Sequence, residues 1–250
     1  METINFNNDE IKKLEKVKFD FENVESDLYL YKTLILKIYK KFKKKEYKIK
    51  NKKLDKLGQL DEIEGLIIPK YKIDIDGVFS GCASTYIKDT NNFLDLYEAP
   101  LKEIIYLYKE ASKIIEKAHN NEIIIGDVNS SNILFKNKRV YFCDIDSCLI
   151  DKIPSVVTSS ILYYNPNIEE FIPFSKGSDK FLINMLFINK VMNKNMNILY
   201  EKEFSEELKK LNLSNGNYLY FKNMYDMDNL DHLSNVLEDP EIETQLKRRK

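Results

Sequence analysis

The 250-residue chain has no charge excess of either sign, few cysteines and no long apolar run, and each shortage removes a class of function. Lys and Arg number 39 against 40 Asp and Glu, leaving a formal net charge of −1, which argues against a broadly basic nucleic-acid surface. Lysines are dense only between Lys40 and Lys56 and in the Lys-Arg-Arg-Lys terminus at 247–250, and such runs are usually solvated faces. Cys82, Cys143 and Cys148 are an odd number of cysteines with no C-x-x-C or metal-ligand spacing, so reduced thiols in a cytoplasmic protein are expected. No basic, apolar leader opens the chain. No apolar stretch reaches the roughly 18 residues of a membrane helix, so secretion and membrane spanning are not expected. Internal repeats and long Pro/Gly/Ser linkers are missing too, and no glycine precedes Gly58.

What is present is an ordinary globular composition, 43% hydrophobic and 32% charged, in a chain long enough for a substantial core as one domain or two closely packed lobes. The richest stretch is 119–148. An apolar run, Ile123, Ile124 and Ile125, leads through Gly126 to Asp127, and Asn132 follows five positions later. Two short apolar segments, 133–135 and 140–143, read as a hairpin across the polar turn 136–139 and bring Asp144 and Asp146 back toward Asn132. Hard oxygen donors grouped this way suit Mg²⁺ accompanied by substrate phosphates, and an aspartate beside them can take a proton from an attacking hydroxyl.

Gly126-Asp127-Val128-Asn129-Ser130-Ser131-Asn132 followed by Asp144-Ile145-Asp146 resembles the catalytic loop and metal segment of the protein-kinase-like superfamily, in a divergent form of bacterial or phage type. The family patterns are His-x-Asp-x-x-x-x-Asn and Asp-Phe-Gly; the polar positions match here, and the His, Phe and Gly do not. The resemblance implies an α+β, bilobal fold, with a small antiparallel-sheet lobe over 1–87 and a mainly helical lobe over 88–250. It also implies ATP and Mg²⁺ as cofactors, with Asp127 as catalytic aspartate and Asn132 and Asp144 as metal ligands.

Segments 28–31 and 33–39 read as a strand pair, and alternation puts Ile35, Lys37 and Tyr39 on one face. Leu34-Ile35-Leu36-Lys37 resembles the family strand whose lysine meets the nucleotide phosphates; Lys32 is the alternative, at the turn. The resemblance places Ser26 and Leu28, with Ile35, around the nucleotide, although the loop before them, 23–27, lacks the family's glycines. Residues 46–60 have helical spacing, and the resemblance puts them in the place of the family helix whose glutamate orients the strand lysine; Glu46 and Asp55 are the acidic candidates, with nothing in the spacing to choose between them. A second hairpin, 72–76 and 78–87, turns at Asp76-Gly77 and ends in 83–87, which resembles the family's hinge; the resemblance implies that Ser84 guards the back of the adenine pocket and that Thr85 and Ile87 border it. The period then changes to 3.6, with Leu101, Ile104, Ile105, Tyr108, Ala111 and Ile115 on one helical stripe ending at His119, taken as a hydrogen-bonded structural residue. The loop 149–167 carries Thr158, Ser159, Ser160, Tyr163 and Tyr164 in the place of an activation segment. Asp179 opens an apolar helix, either as an N-cap or, as the resemblance implies, holding the catalytic-loop backbone.

The expected function is ATP/Mg²⁺-dependent transfer of a γ-phosphate to a hydroxyl, with Lys37, Asp127 and Asn132 as catalytic residues and a Ser/Thr protein as preferred acceptor. Gly126 before Asp127, and Asn129 where protein kinases carry a lysine, point to the alternative of a small-molecule phosphotransferase of aminoglycoside- or choline-kinase type. A third possibility, from the missing glycine loop, is a pseudokinase that acts as a binding or regulatory module. No membrane partner is expected.

Overall fold

The computed structural model describes residues 1–17, 25–40, 42–154, 164–165, 170–171, 175–193 and 201–247. Residues 23 and 24 of the expected phosphate loop lie outside the described residues, as do Thr158, Ser159, Ser160 and Tyr163 of the expected activation segment. The architecture is α+β, a mixed six-stranded sheet followed by a mainly helical region.

The chain begins with β1 (Glu2–Phe6) and the short helix α1 (Asn8–Lys12), closed by a capping box between Asn7 and Glu10. β2 (Glu15–Lys16), β3 (Ser26–Tyr31) and β4 (Leu34–Tyr39) precede the helix α2 (Lys44–Leu57). β5 (Tyr71–Ile75) and β6 (Val78–Thr85) complete the sheet in the order β1-β5-β6-β4-β3-β2. Their hairpin turns on Asp76 and Gly77, both at positive φ, the backbone that an Asp-Gly pair favours. The sheet is not wholly antiparallel as expected, because β1 joins its edge parallel to β5 with Ile4 beside Ile73. β4 and β6 approach so closely that a side chain at Gly81 would strike the Lys37 carbonyl, so glycine is required there.

Strand alternation gives the sheet two different faces. Leu36, Ile73 and Ala83 are buried on one face with Phe6 and Ile11 of α1. Lys37 and Tyr39 face the other way, toward α2, whose Leu54 and Leu57 belong to the main core together with the helical region.

Beyond β6, the pair β7 (Asn91–Asn92) leads into α3 (Leu101–Asn120), whose buried residues include Ile104, Tyr108, Ala111, Ile115 and His119, the stripe expected from periodicity. β8 (Ile123–Ile124) follows, and then the hairpin of β9 (Ile133–Lys136) and β10 (Arg139–Phe142), turning on Asn137 and Lys138 at positive φ. β11 (Leu149–Ile150) returns to pair with β8. The helix α4 (Lys176–Met192) packs against α3, and α5 (Glu201–Leu208), α6 (Asn215–Lys222), α7 (Leu233–Val236) and α8 (Ile242–Gln245) complete the region. The connection between α2 and β5 is tied to the hairpin: Ile67 N–H donates to the Phe142 carbonyl and Phe142 N–H to that of Gly65. Among the described residues no helix is long and apolar enough to cross a membrane.

Candidate functional site

Two clusters of polar side chains meet at Cys143. In the first, the 127–132 loop folds on itself: the Asn129 side-chain oxygen accepts from the backbone N–H groups of Ser131 and Asn132. Asn132 Nδ2 donates to the Asp127 carboxylate at 2.9 Å and to its carbonyl at 3.1 Å. With its amide nitrogen so used, Asn132 has its side-chain oxygen left as the donor for a cation. The Cys143 N–H donates to the Asn132 carbonyl at 3.0 Å, which sets Asp144 beside this loop.

In the second cluster, Asp144 takes a left-handed backbone (φ 64, ψ 30) and Ile145–Ser147 form one 3₁₀ turn. That kink aims both Asp144 and Asp146 at β4. Lys37 Nζ pairs with the Asp144 carboxylate and with Asp146 Oδ1 at 2.9 Å. Burial opposes the Lys37 ammonium, but the two carboxylates outweigh it and hold its pKa well above the usual value. Burial and the neighbouring Asp146 push Asp144 up to about 6 despite Lys37. Asp146 is also penalised by burial, yet Lys37 and Lys50 keep it well below the carboxylate range.

Neither acidic candidate on α2 reaches Lys37. The Glu46 carboxylate accepts from the Lys43 N–H at the helix start, and Asp55 pairs with Lys72 at 2.7 Å. The side chain that α2 turns toward the site is Lys50, which has no solvent exposure and sits 2.7 Å from Asp146 Oδ2. The sequence carries a signal for it, because Lys50, Lys53, Leu54 and Leu57 follow the i, i+3, i+4, i+7 spacing of one helical face, although a lysine does not register in an apolar pattern. Lys32 does not approach the site, lying at the β3–β4 turn with its amine 5.0 Å over the Tyr31 ring.

Register brings several expected nucleotide contacts to the Lys37 face. Ser26 pairs with Tyr39, Leu28 with Lys37 and Leu30 with Ile35 across β3 and β4, and Ser84 pairs with Ile35 from β6. The Ser26 hydroxyl is buried without a hydrogen-bond partner among the described residues. Glu25, half-buried just before β3, has its pKa raised by burial, with Lys37 and Lys50 opposing the rise. Thr85 pairs with Leu34, so its side chain lies on the opposite face of β6 from the one that meets Lys37, and with Ile87 it lines a cleft of about 730 Å³ bordered by Ile67, Pro69 and Tyr141.

The backbone of the 125–127 segment is held from below. Asp179, with no exposure, accepts from Ile125 N–H at 2.8 Å, from Gly126 N–H at 2.7 Å and lies 3.0 Å from His119 Nε2. It is not the N-cap of α4; that role belongs to Ser175, whose side chain accepts from Ser178 N–H.

One group near the site works against the fold. Lys53 is fully buried on α2 and its ammonium has no hydrogen-bond partner among the described residues. Burial pulls its pKa from 10.5 to about 8. Below that value the folded protein carries the charge at its full penalty, about 3 kcal/mol by linkage, and the penalty is relieved as pH rises from the folded value toward the unfolded one. Lys53→Met is therefore expected to raise stability at neutral pH by about 1–3 kcal/mol, and the gain should shrink as pH approaches 10. Urea denaturation at both pH values measures it; no gain at neutral pH would mean that the amine has found a counter-charge or water.

Compared with known proteins, the chain matches no family model and no curated protein.

Proposed function

We infer that this chain is an ATP- and Mg²⁺-dependent phosphotransferase of the protein-kinase-like type, its sheet and helical regions forming the two lobes, with ATP bound between them. The observation that carries this reading is the convergence of Lys37, from a strand about a hundred residues away, with Asp144, Asn132 and Asp127 of one turn and loop, into two hydrogen-bonded clusters joined at Cys143. Phosphoryl transfer asks mainly for positioning and charge neutralisation, which such a set supplies. Asp144 and the Asn132 side-chain oxygen are the residues that would hold the cation. A carboxylate and an amide oxygen are hard donors of the kind Mg²⁺ takes, its remaining ligands coming from phosphates and water; among the described residues no group of three or more His, Cys, Asp or Glu could hold a metal ion. When bound, Mg²⁺ neutralises charge on the phosphate oxygens. Lys37 binds the α- and β-phosphates, and Asp127 orients the acceptor hydroxyl and takes its proton as the oxygen bonds to the γ-phosphorus and ADP departs. The Asn132 amide fixes the Asp127 rotamer for that task.

A Ser/Thr protein is the preferred acceptor, because α4 and the segment before it resemble protein kinases; a small-molecule hydroxyl is the alternative. A second reading, a pseudokinase acting through protein contacts, is favoured by one observation: the Lys37 ammonium is already engaged by two carboxylates. The deciding experiment is γ-phosphate transfer from labelled ATP with Mg²⁺ to protein and metabolite panels. Transfer to any hydroxyl supports the enzyme, and none to either panel supports the pseudokinase.

Nucleotide binding should lean on Lys37 and the cation rather than on backbone amides, since residues 1–57 contain no glycine to let a loop close on phosphate. Lys37→Ala is expected to nearly abolish ATP binding in calorimetry, whereas Ser26→Ala should cost only about 0.5–1.5 kcal/mol, one hydrogen bond. Tight binding that survives Lys37→Ala without Mg²⁺ contradicts this pocket.

A further inference from the structure

Building on the phosphotransferase reading, we propose that Asp146 orients Lys37 toward the nucleotide phosphates and that Lys50 of α2 is the positioning residue that holds Asp146. The helix supplies no acid to the strand lysine, and the acid comes instead from the turn after Cys143. Asp146 divides its oxygens between two sides. Oδ1 accepts from Lys37 Nζ at 2.9 Å, while Oδ2 accepts from Lys50 Nζ at 2.7 Å and from the Tyr39 hydroxyl at 2.9 Å. Of the two carboxylates on Lys37, Asp144 is the one assigned to the cation, so Asp146 is the partner that stays with the ammonium.

Lys50 is enclosed. Its ammonium lies 3.4 Å from the Ser147 hydroxyl and 4.6 and 5.1 Å over the rings of Tyr39 and Phe42, with no exposure to solvent. A cation so desolvated cannot exchange its carboxylate for water without a large penalty. The placement of α2 and the placement of Asp146 are therefore linked, and through Asp146 the helix acts on Lys37. The polarity is the reverse of a helix carboxylate paired with a strand lysine: here the helix carries the cation and the acid sits between two lysines.

A buried pair that only supports the fold would look similar, and the paired neutral variant separates the two. Lys50→Met, Asp146→Asn and the double variant are compared with wild type by urea denaturation, by the Kd of ATP with Mg²⁺, and by the rate at which an amine-selective ester acylates Lys37 in nucleotide-free protein. Asp146→Asn strands the buried Lys50 ammonium and Lys50→Met leaves Asp146 with Lys37 alone of its two lysines, so each single change is expected to destabilise, whereas the double variant removes both charges and should recover most of the stability. Binding should not recover with it. The Kd is expected to rise about tenfold or more in the double variant, and Lys37, freed from one of two carboxylates, to be acylated on the order of fivefold faster. A double variant with wild-type Kd and wild-type acylation overturns the proposal. If wild-type protein binds no nucleotide, the phosphotransferase reading fails, while the acylation rates still decide whether Lys50 and Asp146 hold Lys37. Should the double variant not fold, Tyr39→Phe removes one donor to Asp146 Oδ2 and keeps the ring; the carboxylate charge then falls more on Lys37, slower Lys37 acylation is expected, and an unchanged rate contradicts the proposal.

Discussion

Replacing Asp179 with alanine is expected to destabilise the protein by about 3–5 kcal/mol, a large share of the roughly 5–15 kcal/mol available to a domain. The Asp179 side chain is wholly buried and serves three groups at once, the N–H groups of Ile125 and Gly126 and the His119 ring. Removing it leaves two buried N–H donors unsatisfied, at about 1–3 kcal/mol each. Asparagine should do little better, because its amide nitrogen would face a backbone N–H where a carboxylate oxygen now accepts. Urea denaturation measures both variants, and a loss under about 1 kcal/mol would mean that water or another acceptor replaces the carboxylate.

The largest kinetic effect is expected at Asp127. Asp127→Ala should lower the transfer rate by about 10²–10⁴, the usual contribution of a positioned general base, with little change in the Kd of ATP, since the group acts on the acceptor and not on the nucleotide. Asn132 Nδ2 loses a partner in the variant but keeps the Asp127 carbonyl, so the loop should persist. Single-turnover transfer with the best acceptor from the panels measures the effect; a rate near wild type would remove Asp127 from the chemistry.

What could be read in advance was local. The β9–β10 hairpin and the 127–132 loop are built from neighbours in sequence, and α3 announces itself by a stripe with the 3.6-residue period over five turns. Lys37 was readable because a lysine flanked by Leu34, Ile35, Leu36 and Ile38 breaks a strand's apolar pattern. The unread features are those settled by distant partners. β1 is five residues of mixed character whose role depends on β5, nearly seventy positions on, and a parallel edge pairing has no turn signature. Lys50 and Lys53 count as polar in any pattern, and only Asp146, across 96 residues, makes the first one worth burying. Asp146 itself stood in plain view beside Asp144, but nothing local shows that the αL residue before the turn directs both carboxylates to one lysine. The faces of Ser84 and Thr85 were equally hidden, because a one-residue step along β6 changes the face and only the register with β4 fixes it.

The most direct measurement of the central claim is thermal unfolding of wild type and Asp144→Asn with ATP, each with and without Mg²⁺. Saturating ligand should stabilise wild type by about 2.7 kcal/mol at a hundred times Kd, and most of that gain should require Mg²⁺. In Asp144→Asn, which keeps the side-chain shape but removes the charge opposing the cation, the Mg²⁺-dependent part should vanish while the ligand-free protein still unfolds cooperatively. Equal Mg²⁺-dependent stabilisation of both proteins by ATP would contradict the assignment of Asp144 and, with it, the phosphotransferase site.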